Sequence, residues 1–181
     1  MIGHNGGPGV EGGASWRRHC WRAAREALLP TLPIEVVRRR VRRAADLGLD
    51  YRTYASVRAS TGHDLVAFLF SSNALRVDAG RPRMAPLRAD KLAQVAAGRI
   101  GLAVTGLEPR MLAEANGELD RAERAPLHLA KWGEAGRQIR AALGGIPADR
   151  VLLVGDMDLE RDWCAAGKLA FYLPADRYFT P

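Results

Sequence analysis

Asp156 and Asp158 follow directly on the apolar run Val151-Leu152-Leu153-Val154-Gly155. Carboxylates gathered at the end of a buried strand are the ligands a hard cation such as Mg2+ takes. Other polar groups stand at the ends of other apolar runs. Ser71, Ser72 and Asn73 close Leu65-Val66-Ala67-Phe68-Leu69-Phe70, Thr105 closes Ile100 to Val104, and Lys131 arrives from a loop. Hydroxyls, a lysine and carboxylates together suit a phosphate group with a bound Mg2+. Each residue also has a local use. Asp156 after Gly155 suits a helix cap, Lys131 a solvated helix entry, and Ser71 or Thr105 a hydrogen bond to neighbouring backbone.

For these residues to meet, the runs that carry them must be strands of one sheet. From residue 65 onward short apolar runs alternate with helical patterns, the signature of a mostly parallel sheet. Strands are expected over 65–70, 100–104, 151–154 and 169–173, with helices over 89–97, 108–115, 132–143 and 159–166. A loop over 78–88 carries Gly80, Pro82 and Pro86. The fold class is therefore α/β, a mostly parallel doubly wound (Rossmann-like) sheet of about four or five strands. In such a sheet the carboxyl ends of the strands share one edge, and ligands bind there.

At 181 residues, with 48% hydrophobic and 26% charged residues, the chain is long enough for one ordinary core. No apolar run approaches the ~18 residues that would cross a bilayer. The start has neither a basic nor an apolar leader segment, so a cytoplasmic location is expected. Cys20 and Cys164 lie far apart without a Cys-x-x-Cys pattern, which fits reduced core thiols better than a zinc site or a disulfide framework.

The net charge of +7 is uneven: positions 1–62 hold eleven arginines and five acids, a net +6. Residues 1–13, rich in glycine, are expected as a flexible tail, residues 14–63 as a basic helical segment and residues 64–181 as the α/β domain. Ser15 caps a helix over 16–29. A second helix runs from Ile34 to Leu47 with Arg38, Arg39, Arg40, Arg42 and Arg43 around its apolar stripe, and Gly48 closes it. Asp50 caps a third over 51–60, closed by Gly62. The pair has the glycine turn of a helix-turn-helix unit. If it binds nucleic acid, Arg52, Thr53, Ser56 and Arg58 face outward to the bases while the preceding arginines meet phosphates. A plain helical hairpin fits the same pattern.

From Lys131 to Leu173 the chain resembles the haloacid dehalogenase-like phosphohydrolase superfamily: a lysine opening a long helix, then Gly-Gly-Ile-Pro-Ala-Asp-Arg-Val-Leu-Leu-Val-Gly-Asp, a helix reaching Ala-Ala-Gly, and another strand. Ala103-Val104-Thr105-Gly106 is similar to the family's second motif. The resemblance spans about residues 65–175 and leaves no room for a large cap. It implies Lys131 and Thr105 as phosphate-binding residues, Asp156 as a metal carboxylate with Glu160 or Asp158 as its second acid, and Mg2+ as the sole cofactor. The first motif departs from the family: Ser71 stands at the nucleophile position and Asn73 at the acid/base position. Serine without a paired base is a weak nucleophile, and Asn moves no proton at neutral pH. The resemblance thus implies a degenerate enzyme that binds a phosphorylated ligand or protein partner without turning it over. A second resemblance uses Thr105-Gly106-Leu107-Glu108 and Asp156-Met157-Asp158, which are similar to the acidic motifs of toprim domains; it implies Mg2+-dependent chemistry on nucleic acid.

Overall fold

The computed structural model describes residues 32–180. The tail and the helix expected over 16–29, with Cys20, lie outside them. The chain divides into two compact units at Val37 and Arg38. Of the first, the described part is the segment 32–37, where helix α1 (Ile34–Asp46) begins.

The second unit is built on a five-stranded, all-parallel sheet in the order β3-β2-β1-β4-β5. Its strands are β1 (Ala67–Ser71), β2 (Gly98–Ala103), β3 (Arg121–Arg124), β4 (Val151–Gly155) and β5 (Phe171–Pro174). Every residue of β1 and β4 is buried, as continuous apolar runs in the middle of a parallel sheet must be. Alternate side chains serve opposite faces. Phe68, Phe70, Leu152 and Val154 pack in one core layer, and Leu69, Ile100, Leu102 and Leu153 in the other.

The helices follow the strand order. After β1 come α3 (Ser72–Leu75) and α4 (Pro86–Ala93), and after β2 comes α5 (Pro109–Ala115). Ala89 and Leu92 of α4 and Leu112 of α5 enter the first layer. The connection from β3 to β4 carries α6 (Trp132–Leu143), and β4 leads to α7 (Asp158–Gly167). Ile139, Leu143, Trp163 and Cys164 of these two enter the second layer. The winding therefore changes face between β1 and β4. Helix α8 (Ala175–Phe179) returns Tyr178 to the first layer, beside Phe68 and Phe70.

Helix α1 and helix α2 (Tyr51–Thr61) are held as the local sequence requires. Asp50 accepts a hydrogen bond from the Thr53 backbone N–H at 2.8 Å, and Gly48 and Gly62 take the left-handed backbone that ends each helix. Ala44, Leu47, Leu49, Tyr54 and Val57 share the first core layer with Phe68 and Phe70.

Helices α3 and α8 and strand β3 fall outside the expected pattern, and one helix starts early. Strand β3, Arg-Ala-Glu-Arg, has no apolar run and lies outside the four expected strands; it is an edge strand paired only with β2. The helix expected from Ala89 begins at Pro86, because proline has no N–H to lose at the first position of a helix.

Candidate functional site at the sheet's switch point

At the end of β1, Ser71 caps α3: its Oγ accepts from the Ala74 N–H at 3.0 Å and is wholly buried. Ser72 Oγ, equally buried, accepts from Val104 N–H at 3.2 Å, joining the carboxyl ends of β1 and β2. One turn later Arg76 adopts the left-handed conformation, φ +60°. In that conformation Arg76 ends α3, its backbone N–H donating to the carbonyls of Ser72 and Asn73.

At the end of β4 the chain wraps round one carboxylate. Glu160 is 1% exposed. Its Oε2 accepts from the backbone N–H groups of Asp156 (2.6 Å) and Met157 (3.1 Å), and its Oε1 accepts from Asn73 Nδ2 (2.9 Å). Gly155 is needed here, since a Cβ would lie 2.6 Å from both Glu160 Oε2 and Tyr172 Cε2. Tyr172 closes the far side by donating to Met157 O at 3.1 Å; burial, with the Glu160 charge beside it, pushes its hydroxyl up to about 12. A single acidic side chain thus fastens the loop after β4 to the end of β1.

Asp156 is left pointing outward. Its Oδ2 lies 3.1 Å from Arg76 Nη1 and its Oδ1 3.2 Å from Nη2, a two-pronged ion pair across the gap between β1 and β4. Beside the pair is an open crevice of about 320 Å³ lined by Ser72, Asn73, Arg76, Arg81, Asp156 and Met157, among others. The loop carrying Arg81 is shaped at both ends. Asp78 Oδ1 accepts from the N–H groups of Gly80 and Arg81, and the buried Asn116 binds Pro82 O and Met84 N–H. Arg88 donates to Ala74 O at 2.7 Å and lies over the Phe179 ring.

The residues expected to do chemistry divide into two groups. Asn73, Asp156 and Glu160 come together, and Ser71 is adjacent with its hydroxyl in the helix cap. Thr105 and Lys131 are exposed and line no part of the crevice; Lys131 begins α6, where its N–H donates to Glu134 Oε2 at 3.2 Å. Asp158 is exposed at the start of α7, and Glu108 of the toprim-like pattern pairs with Arg124 at 2.8 Å. Among the described residues no three His, Cys, Asp or Glu side chains gather as a metal-binding group. In this arrangement both Asp156 oxygens face a guanidinium and both Glu160 oxygens accept from N–H donors.

Arg43, expected at phosphates, is engaged inside the fold. It binds Asp64 at 3.0 Å and the carbonyls of Ala96 and Leu65, both at 2.9 Å. Thr53, expected to face outward, is buried at 5% exposure, because it sits on the face of α2 with Tyr54 and Val57. Arg39, Arg42 and Arg52 are exposed, while Arg40 and Arg58 are half-buried.

Arg76 and Arg81 are not among the acids and hydroxyls that the strand ends single out in the sequence. The available signal was arginine close behind a buried strand, in a loop whose Gly80 and Pro82 mark an ordered turn.

The fold and the crevice define a Rossmann-like doubly wound α/β protein with an arginine-lined opening at the point where its strand order reverses. No family model matches the chain, and no curated protein or solved structure matches it.

Proposed function

We propose that the protein binds a small phosphate monoester in the crevice between β1 and β4 and does not hydrolyse it. The observation that carries this reading is the pair Arg76 and Arg81 in a crevice at the sheet's switch point, the place where doubly wound sheets take ligands. A guanidinium fork matches two phosphate oxygens, and about 320 Å³ lies at the small end of ligand pockets. The likeness to the haloacid dehalogenase-like phosphohydrolases bears on the same strand ends through Ser71, Asn73 and Asp156, whereas Thr105 and Lys131, the phosphate-binding residues it implies, line no part of the crevice. That family's strand-end motifs correspond to Ser71, Asn73 and Asp156, with Ser71 and Asn73 lacking its carboxylates.

Absence of turnover follows from the groups present. Ser71 Oγ is buried in a helix cap without a paired base, and the Asn73 amide donates to Glu160. Neither supplies a nucleophile or a proton carrier.

Titration calorimetry with phenyl phosphate, alongside a phosphatase assay on the same compound with Mg2+, tests both halves. Saturable binding weakened about tenfold or more by Arg76→Ala, the loss of one charge-assisted fork, is expected, with no turnover. Robust turnover abolished by Asp156→Asn would refute the non-hydrolytic reading, and absence of binding would refute the site.

A further inference from the structure

In a site built to take a phosphate, the guanidinium best placed to receive it is already occupied. Both terminal nitrogens of Arg76 face the two oxygens of Asp156, at 3.1 and 3.2 Å. A carboxylate held this way reproduces the two-pronged contact that phosphate oxygens make.

Nothing else in the loop requires the Asp156 side chain. The chain after β4 is fixed through backbone: Glu160 takes the N–H groups of Asp156 and Met157, and Tyr172 binds the Met157 carbonyl. Gly155 lets Glu160 and Tyr172 close in, so the backbone at Asp156 is set from beneath while its carboxylate is turned into the crevice.

The surroundings favour an anion there. Besides Arg76, the crevice is lined by Arg81, and Arg88 lies near enough to feel both members of the pair. Its guanidinium is held below its usual range by burial and then by the charge of Arg76, with Asp156 opposing. The other acid of the lining, Asp78, has Oδ1 engaged with two backbone N–H groups of its own turn. Asp156 is therefore the counter-ion of this arginine group.

We infer that Asp156 is a built-in competing anion: its carboxylate occupies the Arg76 fork when the crevice is empty, and a phosphate monoester must displace it to bind. This rests on the phosphate-binding reading above and deepens it. The pair is partly open to solvent, with Arg76 61% and Asp156 23% exposed at the side chain. Exchange with an incoming dianion is thus accessible, and a dianion outmatches a single carboxylate in charge. The sign of the effect separates this role from metal ligation. A metal carboxylate lost to amide weakens phosphate binding, whereas a competing carboxylate lost to amide strengthens it.

The test is titration of inorganic phosphate and of phenyl phosphate, in chelator and again with Mg2+, into the wild type, Asp156→Asn, Asp156→Ser and Arg76→Ala. Thermal midpoints confirm that each variant is folded. The expected result in chelator is binding roughly fivefold tighter in both Asp156 variants, from loss of the competing pair and of its repulsion, and binding weakened about tenfold or more in Arg76→Ala. Wild type that binds while the Asp156 variants bind equally or more weakly overturns this inference and leaves the phosphate site standing. Binding that needs Mg2+ and disappears in Asp156→Asn also overturns it. No binding by any of the proteins overturns the site itself.

Discussion

Glu160 is the residue on which the geometry of the crevice depends. Its carboxylate accepts three N–H hydrogen bonds in a buried position, two from the loop after β4 and one from Asn73 behind β1. Removing it leaves those donors without acceptors and opens a cavity. Glu160→Ala is expected to cost about 3 kcal/mol in urea denaturation. Glu160→Gln keeps an acceptor for the two backbone groups and obliges Asn73 to turn its amide, so it should cost clearly less. Equal losses in the two variants would show that volume, not hydrogen bonding, is what Glu160 supplies. The same logic separates the three acids after β4, alike in composition and spacing. Glu160 points inward, Asp156 into the crevice and Asp158 to solvent. Which takes which direction depends on Gly155, where the missing Cβ leaves room for one carboxylate to fold back.

Among the elements, α6 and α7 approach most closely at glycine. A Cβ on Gly136 would stand 2.5 Å from the Ala166 carbonyl oxygen, which is backbone and cannot swing aside. Gly136→Ala is therefore expected to destabilise by about 2 kcal/mol, although alanine improves helix propensity by up to about 1 kcal/mol. A thermal midpoint unchanged or raised in this variant would show that the two helices slide apart without loss. Most elements were legible in the sequence because they obey local rules. The buried central strands are apolar runs, Asp50 with Gly62 brackets α2, and the 132–143 helix is found where its apolar period runs. Strand β3 was illegible because it borrows its order from β2: at a sheet edge, Arg-Ala-Glu-Arg needs little apolar surface of its own. Helix α8 was also missed, being five residues long and held by Tyr178 in a core made elsewhere.

At the scale of the whole molecule the two core layers close over groups that ionise only in strong base. Burial pushes the Cys164 thiol, in the second layer, up to about 12; it moves the Tyr178 hydroxyl upward as well, in the first. A folded-state value raised above the unfolded one contributes stability that is intact below the unfolded value and is lost as pH climbs toward the folded one. For Cys164 that window opens near 9. The unfolding free energy should fall between pH 8 and pH 10.5, with Cys164 accounting for about 2 kcal/mol of the drop. Cys164→Ala, compared with the wild type by denaturant titration at the two pH values, should lose correspondingly less. An identical decline in both proteins would place the sensitivity elsewhere. Among the described residues no helix is long and apolar enough to cross a membrane.

By itself the sequence determined the class of fold, the central strands, the caps of α2 and the presence of acids behind β4. All of these follow from periodicities and short-range hydrogen bonding that a few neighbouring residues decide. Only the tertiary structure decided the strand order, the change of helix face between β1 and β4, and the partners of each charged group. Arg43, which reads as a surface cation, is bound to Asp64 and two strand-entry carbonyls. Arg76 and Asp156, eighty positions apart in the chain, meet as one ion pair. Pairings of that kind arise because a parallel sheet sets the ends of β1 and β4 side by side, and no local pattern of residue types records which strands will be neighbours.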